Sequence, residues 1–320
     1  MSRTALFLNP GTEWGAAVGL ARRADALGYE SLWVTHGVGR DALLVLAGYA
    51  HAAPRVGLGT GIVPIYTRHP VLLAQEALTL AELTGGRLRL GLGVSHRSMM
   101  EAGLGLDPGD PLEVMREYVA VLRAALGGKV AHQGPRYRVA WQSGLQRLPP
   151  APPVLLAGLG PKMLELAGEI ADGAVLWLCV PQYIREVALP AIRRGRQRAG
   201  RTLDGFEVVA AVPAALTGDR AAGIALFKAE LARYLALPFY RAMLEQSGFQ
   251  AELAQYDRAP RPEAVPDRLA AELAAVGDRE RLAAFIAAHR DAGVTLPAVR
   301  PIGFPDAPHY TPTLEAALAV

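Results

Sequence analysis

The chain has 320 residues, 51% of them hydrophobic and 20% charged, a balance that excludes a disordered or fibrous chain and describes a globular protein with a large core. Its formal net charge is only +3, with a sequence pI of about 9.1, and its lysines and arginines are scattered along helical stretches, which argues against a nucleic-acid face. A single cysteine, Cys179 in the apolar run Ala174–Val180, excludes an intramolecular disulfide and reads as a buried structural thiol.

No apolar run reaches membrane-spanning length, and the N-terminal MSRTALFLNP is too short in apolar residues for a signal peptide. A cytoplasmic protein without membrane or nucleic-acid partners is therefore expected. In chain order, short apolar runs bounded by Gly, Pro or Asn predict strands at Ala5–Asn9, Ser31–His36, Val56–Ile62, Leu88–Ser95, Val154–Gly158, Ala174–Cys179, Phe206–Val212 and Ala298–Gly303. Segments of helical period lie between them, including Glu13–Leu27, Pro70–Leu83, Pro111–Leu126, Lys162–Ala171 and Gln182–Ala199. Two stretches exceed ordinary loops: 129–153, where Gly134-Pro135 suggests a small hairpin, and 219–280, which reads as a lid-like helical insertion.

Continuous apolar strands alternating with helices allow an open doubly wound sheet or a closed barrel. The first strand ends in Asn9-Pro10-Gly11-Thr12 and lacks the G-x-G-x-x-G of a dinucleotide fold. Eight such units favour an α/β (β/α)8 TIM barrel with insertions, one domain over residues 1–320.

In that fold the site forms at the C-terminal ends of the strands. Those ends carry Asn9, Thr35-His36, Gly59-Thr60-Gly61-Ile62, Gly91 through His96, and Ala157 through Pro161. They place neither a carboxylate for a metal nor a lysine for a Schiff base, so no metal is expected and a bound cofactor becomes the candidate reactive group. Three successive strands end in Gly-rich turns, which predicts a backbone-lined mouth that admits a broad flat ring. Leu159-Gly160-Pro161-Lys162-Met163 reads as a helix N-terminus able to hold a phosphate through backbone N–H groups, with Ser95 as a further donor.

The segments Leu58–Pro70 (LGTGIVPIYTRHP), Leu83–Ser95 (LTGGRLRLGLGVS), Pro111–Arg123 (PLEVMREYVAVLR) and Leu156–Gly173 (LAGLGPKMLELAGEIADG) resemble the bacterial luciferase-like group. Within it they are similar to the branch dependent on the deazaflavin coenzyme F-420, which includes methylenetetrahydromethanopterin reductase. The resemblance runs through about residue 200. It implies a luciferase-like barrel with coenzyme F-420, or alternatively FMN, across the mouth, and a non-prolyl cis peptide matching Gly61–Ile62. It also implies a cofactor-binding set of Thr35, Gly61, Ile62, Pro64, Val94, Ser95, Leu159, Gly160, Lys162 and Met163. Thr35 stands where many relatives have Asp, and His96 where a sugar-phosphate relative has Glu.

The leading reading is hydride transfer between coenzyme F-420 and a small organic substrate, with His36 or His96 as the catalytic proton donor or acceptor. The runner-up is an FMN-dependent monooxygenase; a non-catalytic flavin-binding protein and a sugar-phosphate lyase are outlying readings. A homodimer is the expected assembly. The acidic tail of coenzyme F-420 predicts basic residues at the rim, for which Arg68, Arg97, Lys162 and Arg185 are the candidates.

Overall fold

In the computed structural model, which describes residues 3–11, 13–36 and 39–318, eight strands pair in parallel in the order in which they occur along the chain. They are β1 (Ala5–Leu8), β2 (Ser31–Val34), β3 (Gly57–Thr60), β4 (Leu88–Gly93), β5 (Val154–Ala157), β6 (Gly173–Leu176), β7 (Glu207–Leu216) and β8 (Leu296–Pro301). β8 pairs with β1, Ala298 opposite Ala5, so the sheet closes into a (β/α)8 barrel. The Gly61–Ile62 peptide, between β3 and a short bridge at Val63–Pro64, is cis.

The inward-facing residues form a core of their own. Phe7, Trp33, Leu155, Val175, Val209 and Leu296 pack together in the lumen with alanines from β1, β7 and β8. Ile62, Ala157 and Trp177 lie partly exposed on top of this cluster, at the C-terminal ends of the strands. The opposite end is closed by charge. Arg3 contacts Glu30 at 2.8 Å and Glu207 at 2.7 Å, while Arg89 contacts the same two carboxylates at 2.5 and 3.0 Å. Each carboxylate thus sits between two guanidiniums, which offsets the desolvation of all four.

The helices outside begin where side chains satisfy their free amides. Asp110 accepts from Leu112 and Glu113 ahead of Pro111–Leu126, and His69 accepts from Val71 ahead of Pro70–Leu83. Asp41 does the same for Ala42–Ala52, a helix absent from the sequence reading because ALLVLAGYAHA is apolar all round and shows no polar face. The stretch read as one helix over Gln182–Ala199 is interrupted by a π-turn at Ile184–Ala188. Pro190, which has no N–H to give to the preceding turn, accounts for the break.

Both long stretches depart from the barrel as separate pieces. Lys129–Gln133 and Arg138–Gln142 form an antiparallel hairpin held against Pro111–Leu126, where Glu117 accepts from the Tyr137 amide at 2.9 Å. Between β7 and β8 run the helices Arg220–Leu235, Pro238–Gln246, Gln250–Asp257 and Asp267–Leu273. This segment then returns as a strand, Ala275–Gly277, parallel to the end of β7. Three residues are too few to carry a period, so the strand was not legible in the sequence.

Candidate active site

The Gly-rich strand ends serve a different purpose from the one the sequence suggested. A Cβ at Gly59 would lie 2.6 Å from the Trp33 ring, at Gly61 2.1 Å from Phe7, and at Gly93 2.7 Å from Ile62. Their missing side chains therefore admit large side chains of neighbouring strands to the lumen, and a flat ligand does not fill that space. Gly91 allows the closest approach: Thr60 Oγ1 both donates to the Gly91 carbonyl and accepts from its amide, each at 2.8 Å. Pro64 is buried in the bridge that pairs with Gly93.

What remains open at the mouth is an apolar floor with polar groups around it. Ile62, Ala157 and Trp177 form the floor, and the Trp177 indole meets Phe7 edge-on with centroids 5.3 Å apart. Val94 and Ser95 follow β4, both partly exposed, and Ser95 holds a left-handed backbone with φ of 54°. Leu178, after β6, is the other non-glycine with positive φ among the described residues. Such backbone costs a non-glycine residue about 1 kcal/mol or more, and both instances lie at this end of the barrel.

Leu159 and Gly160 lead into the helix Pro161–Ile170, with the Leu159 carbonyl held by the Tyr183 hydroxyl at 2.5 Å. Pro161 has no N–H, and the first intrahelical bond is donated by Leu164 to Gly160 at 3.1 Å. The amides of Lys162 and Met163 are thus left without a partner among the described residues, and a Cβ at Gly160 would meet nothing within 4 Å. Lys162 is exposed and Met163 partly buried.

The two imidazoles of the sequence reading follow β2 and β4, with β3 between them. His36, just after Thr35, accepts from the Ala42 amide through Nδ1 at 3.3 Å, which leaves its proton on Nε2. Asp41 lies 3.7 Å from the same nitrogen and is itself paired with Arg68, which reaches on to Glu76 at 3.1 Å. Burial pushes the His36 pKa below its ordinary value; Asp41 opposes this and Arg68 reinforces it. His96 is also depressed, by burial. Its ring is 6.0 Å from that of Tyr240, brought over by the segment between β7 and β8.

Several groups at the mouth had gone unread. Leu296 and Ala298 point into the lumen, so by strand alternation Arg300 points inward one layer higher. It stacks over Trp177 at 5.5 Å and pairs with Glu230 at 2.6 Å, and Glu230 also accepts from the Gly303 amide. The inward alternation of β8 was available in the sequence. The arrival of Glu230 and Tyr240 from a distant helix pair was not.

Of the basic rim candidates, Arg68 is withdrawn into its pairs with Asp41 and Glu76, and Arg97 is paired with Glu101 at 2.5 Å. Lys162 and Arg185 are exposed with no ion pair among the described residues. Cys179 is buried with its thiol pushed up to about 12 by burial, which makes it inert. No metal-binding cluster of His, Cys, Asp and Glu occurs among the described residues, and no helix there is long and apolar enough to cross a membrane.

The sequence profile of the luciferase-like monooxygenases matches residues 2–296. The chain belongs to this family. The match extends well past the first two-thirds to which the sequence motifs pointed. Among luciferase-like relatives, a Mycobacterium tuberculosis protein assigned as a coenzyme F-420-dependent oxidoreductase is 31% identical, over 89% of this chain and 92% of its own. The 5,10-methylenetetrahydromethanopterin reductase of Methanolobus tindarius is 33% identical over 66% of this chain and 64% of its own length. The solved structure of a coenzyme F-420-dependent tetrahydromethanopterin reductase from Methanopyrus kandleri superposes with a TM-score of 0.84 at 24% identity, covering 98% of this chain and 96% of that one. That likeness establishes the shared luciferase-like barrel.

Proposed function

We propose that this oxidoreductase holds a flavin-type ring across the barrel mouth, that of coenzyme F-420 in preference to FMN, and passes a hydride between it and a small organic substrate. The residues present fit such a group. The partly exposed floor of Ile62, Ala157 and Trp177 offers an apolar face to a planar ring. The free amides of Lys162 and Met163, at the positive end of the Pro161–Ile170 helix, suit its phosphate, with Ser95 beside them at the end of the adjacent strand. The bound ring supplies the carbon that gives or takes the hydride; the chain supplies binding, orientation and the proton.

His36 is the group best prepared to hold that proton. Its depressed pKa keeps the imidazole neutral at pH 7, and the bond from Ala42 fixes the proton on Nε2, so the ring can donate there to a developing alkoxide or amine. His96, whose imidazole has no hydrogen bond to another described residue, is the second candidate. Tyr240 packs beside the His96 ring, and the Arg300–Glu230 pair borders the floor at Trp177. Thr35 sits at the same edge as His36, partly exposed.

The observation that carries the reading is the coincidence at one end of the barrel of an exposed apolar floor, an open helix N-terminus and two imidazoles held neutral. Gly160→Asp tests it, because a Cβ there meets only open space and the fold should tolerate it while a carboxylate enters the phosphate cradle. Affinity for coenzyme F-420 should fall about tenfold or more, as like charges meet at a helix terminus. Unchanged affinity would remove the cradle from the account. The family's own description, luciferase-like monooxygenase, keeps oxygenation as the second reading, with FMN as the cofactor because it presents a similar ring and phosphate.

A further inference from the structure

Beside the mouth, a groove of about 450 Å³ runs between the loop after the Val63–Pro64 bridge and the tip of the hairpin, lined by Tyr66, Arg68, His69, Arg136, Tyr137 and Arg138. Its cations are unevenly committed. Arg68 is neutralised by Asp41 and Glu76. The Arg136 guanidinium lies over the Tyr66 ring at 5.5 Å and donates only to a neutral backbone acceptor, the Asp107 carbonyl at 2.6 Å, besides its neighbour Tyr137. Arg138 is exposed, with no hydrogen bond or ion pair from its side chain among the described residues.

The carboxylates nearby are already engaged. Glu117 accepts from the amides of Arg136 and Tyr137 and faces His132 at 3.0 Å, Asp110 caps its own helix, and Glu101 pairs with Arg97. Two further features favour an anion. The 14-residue helix Pro70–Leu83 begins at His69 and turns its positive end toward the groove. The Tyr66 hydroxyl is buried without a hydrogen-bond partner. The loop at 107–109 links the groove to the segment after β4. Arg97, two residues beyond Ser95, bonds the Gly109 carbonyl at 2.8 Å, and Arg136 bonds Asp107 in the same loop.

We propose that this groove receives the carboxylate-bearing tail of the deazaflavin coenzyme beyond its phosphate, with Arg136 and Arg138 as its charge partners. The inference rests on the cofactor assignment made above. It assigns the tail's charge contacts to the groove after β3 and not to the side chains of Lys162 and Arg185, which follow β5 and β6.

The test compares binding of coenzyme F-420 carrying its glutamate tail with the same deazaflavin ending at the phosphate, by fluorescence titration at low and high salt. In the wild type the tail should strengthen binding roughly five- to thirtyfold at low salt, less at high salt, as expected for two partly exposed charge contacts. The Arg136→Ala/Arg138→Ala variant should bind both forms within about twofold of each other. The Lys162→Ala/Arg185→Ala variant should keep the tail's advantage. Equal wild-type binding of the two forms, or loss of the advantage only in the Lys162/Arg185 variant, would overturn the proposal while leaving the cofactor assignment standing. Failure of the tail-less deazaflavin to bind at all, where FMN binds, would overturn both.

Discussion

Replacing Gly91 with alanine probes the junction that shapes the mouth. An ideal Cβ at this position would sit 2.0 Å from the Thr60 carbonyl oxygen and 3.2 Å from its carbon. Real Cβ atoms keep about 3 Å from such an oxygen, so β3 and β4 must part by roughly 1 Å, and the obstacle is backbone that no rotamer change can move. The parting disrupts the two 2.8 Å bonds between Thr60 Oγ1 and Gly91, each worth about 1 kcal/mol net. Overpacking adds about 1–3 kcal/mol, for a total near 3–5 kcal/mol. At about 1.5 °C per kcal/mol for a chain of this size, thermal unfolding followed by circular dichroism should shift down by about 4–8 °C. Gly160→Ala, whose Cβ meets open space, should stay within about 2 °C of the wild type. If the two variants melt together, the reading of Gly91 as a steric requirement is wrong.

The ionic closure at the other end of the barrel makes stability depend on pH. Burial alone would raise the Glu30 carboxyl, but bonds from Arg3 and Ser31 and the charge of Arg89 hold it below its ordinary value. A depressed carboxylate contributes stability above its unfolded pKa and loses it as pH falls through the folded one, so the urea midpoint should drop on acidification and Glu30→Gln should flatten that drop. Glu207→Gln leaves Arg3 and Arg89 sharing one carboxylate; with Arg3 nearly half exposed, the cost should be about 1–3 kcal/mol by urea unfolding, and no measurable cost would show the closure to be ornamental. For His36, Asp41→Asn should lower the imidazole pKa further and Arg68→Met should raise it, read from its ring proton resonances. Shifts in the same direction for both variants would contradict the geometry assigned to this triad.

The barrel was readable in the sequence because each strand is a short apolar run stopped by Gly, Pro or Asn, and this pattern survives whatever the tertiary context. All eight strands lie where those runs are, with ends moved by a few residues. Ala42–Ala52 escaped because its outward face carries Leu44, Ala47 and Gly48, so the helix has no amphipathic period to detect. Within the site, His36, Ser95 and the Gly160–Met163 turn were visible because they sit directly at strand or helix ends. The partners that tune them were not. Arg68 reaches the Asp41 beside His36 across 27 residues of chain, and Glu230 meets Arg300 across 70. The glycines were found but misread, since a sequence shows that a Cβ is missing and does not show that Phe7, Trp33 and Ile62 occupy the space.

The central claim is that the mouth binds a deazaflavin in preference to a flavin, and side-by-side titration of the purified protein with coenzyme F-420 and FMN, at low and at high salt, tests it most directly. The account predicts tighter binding of coenzyme F-420, with a preference that shrinks as salt screens the acidic tail. FMN binding as tight or tighter, and indifferent to salt, would contradict it.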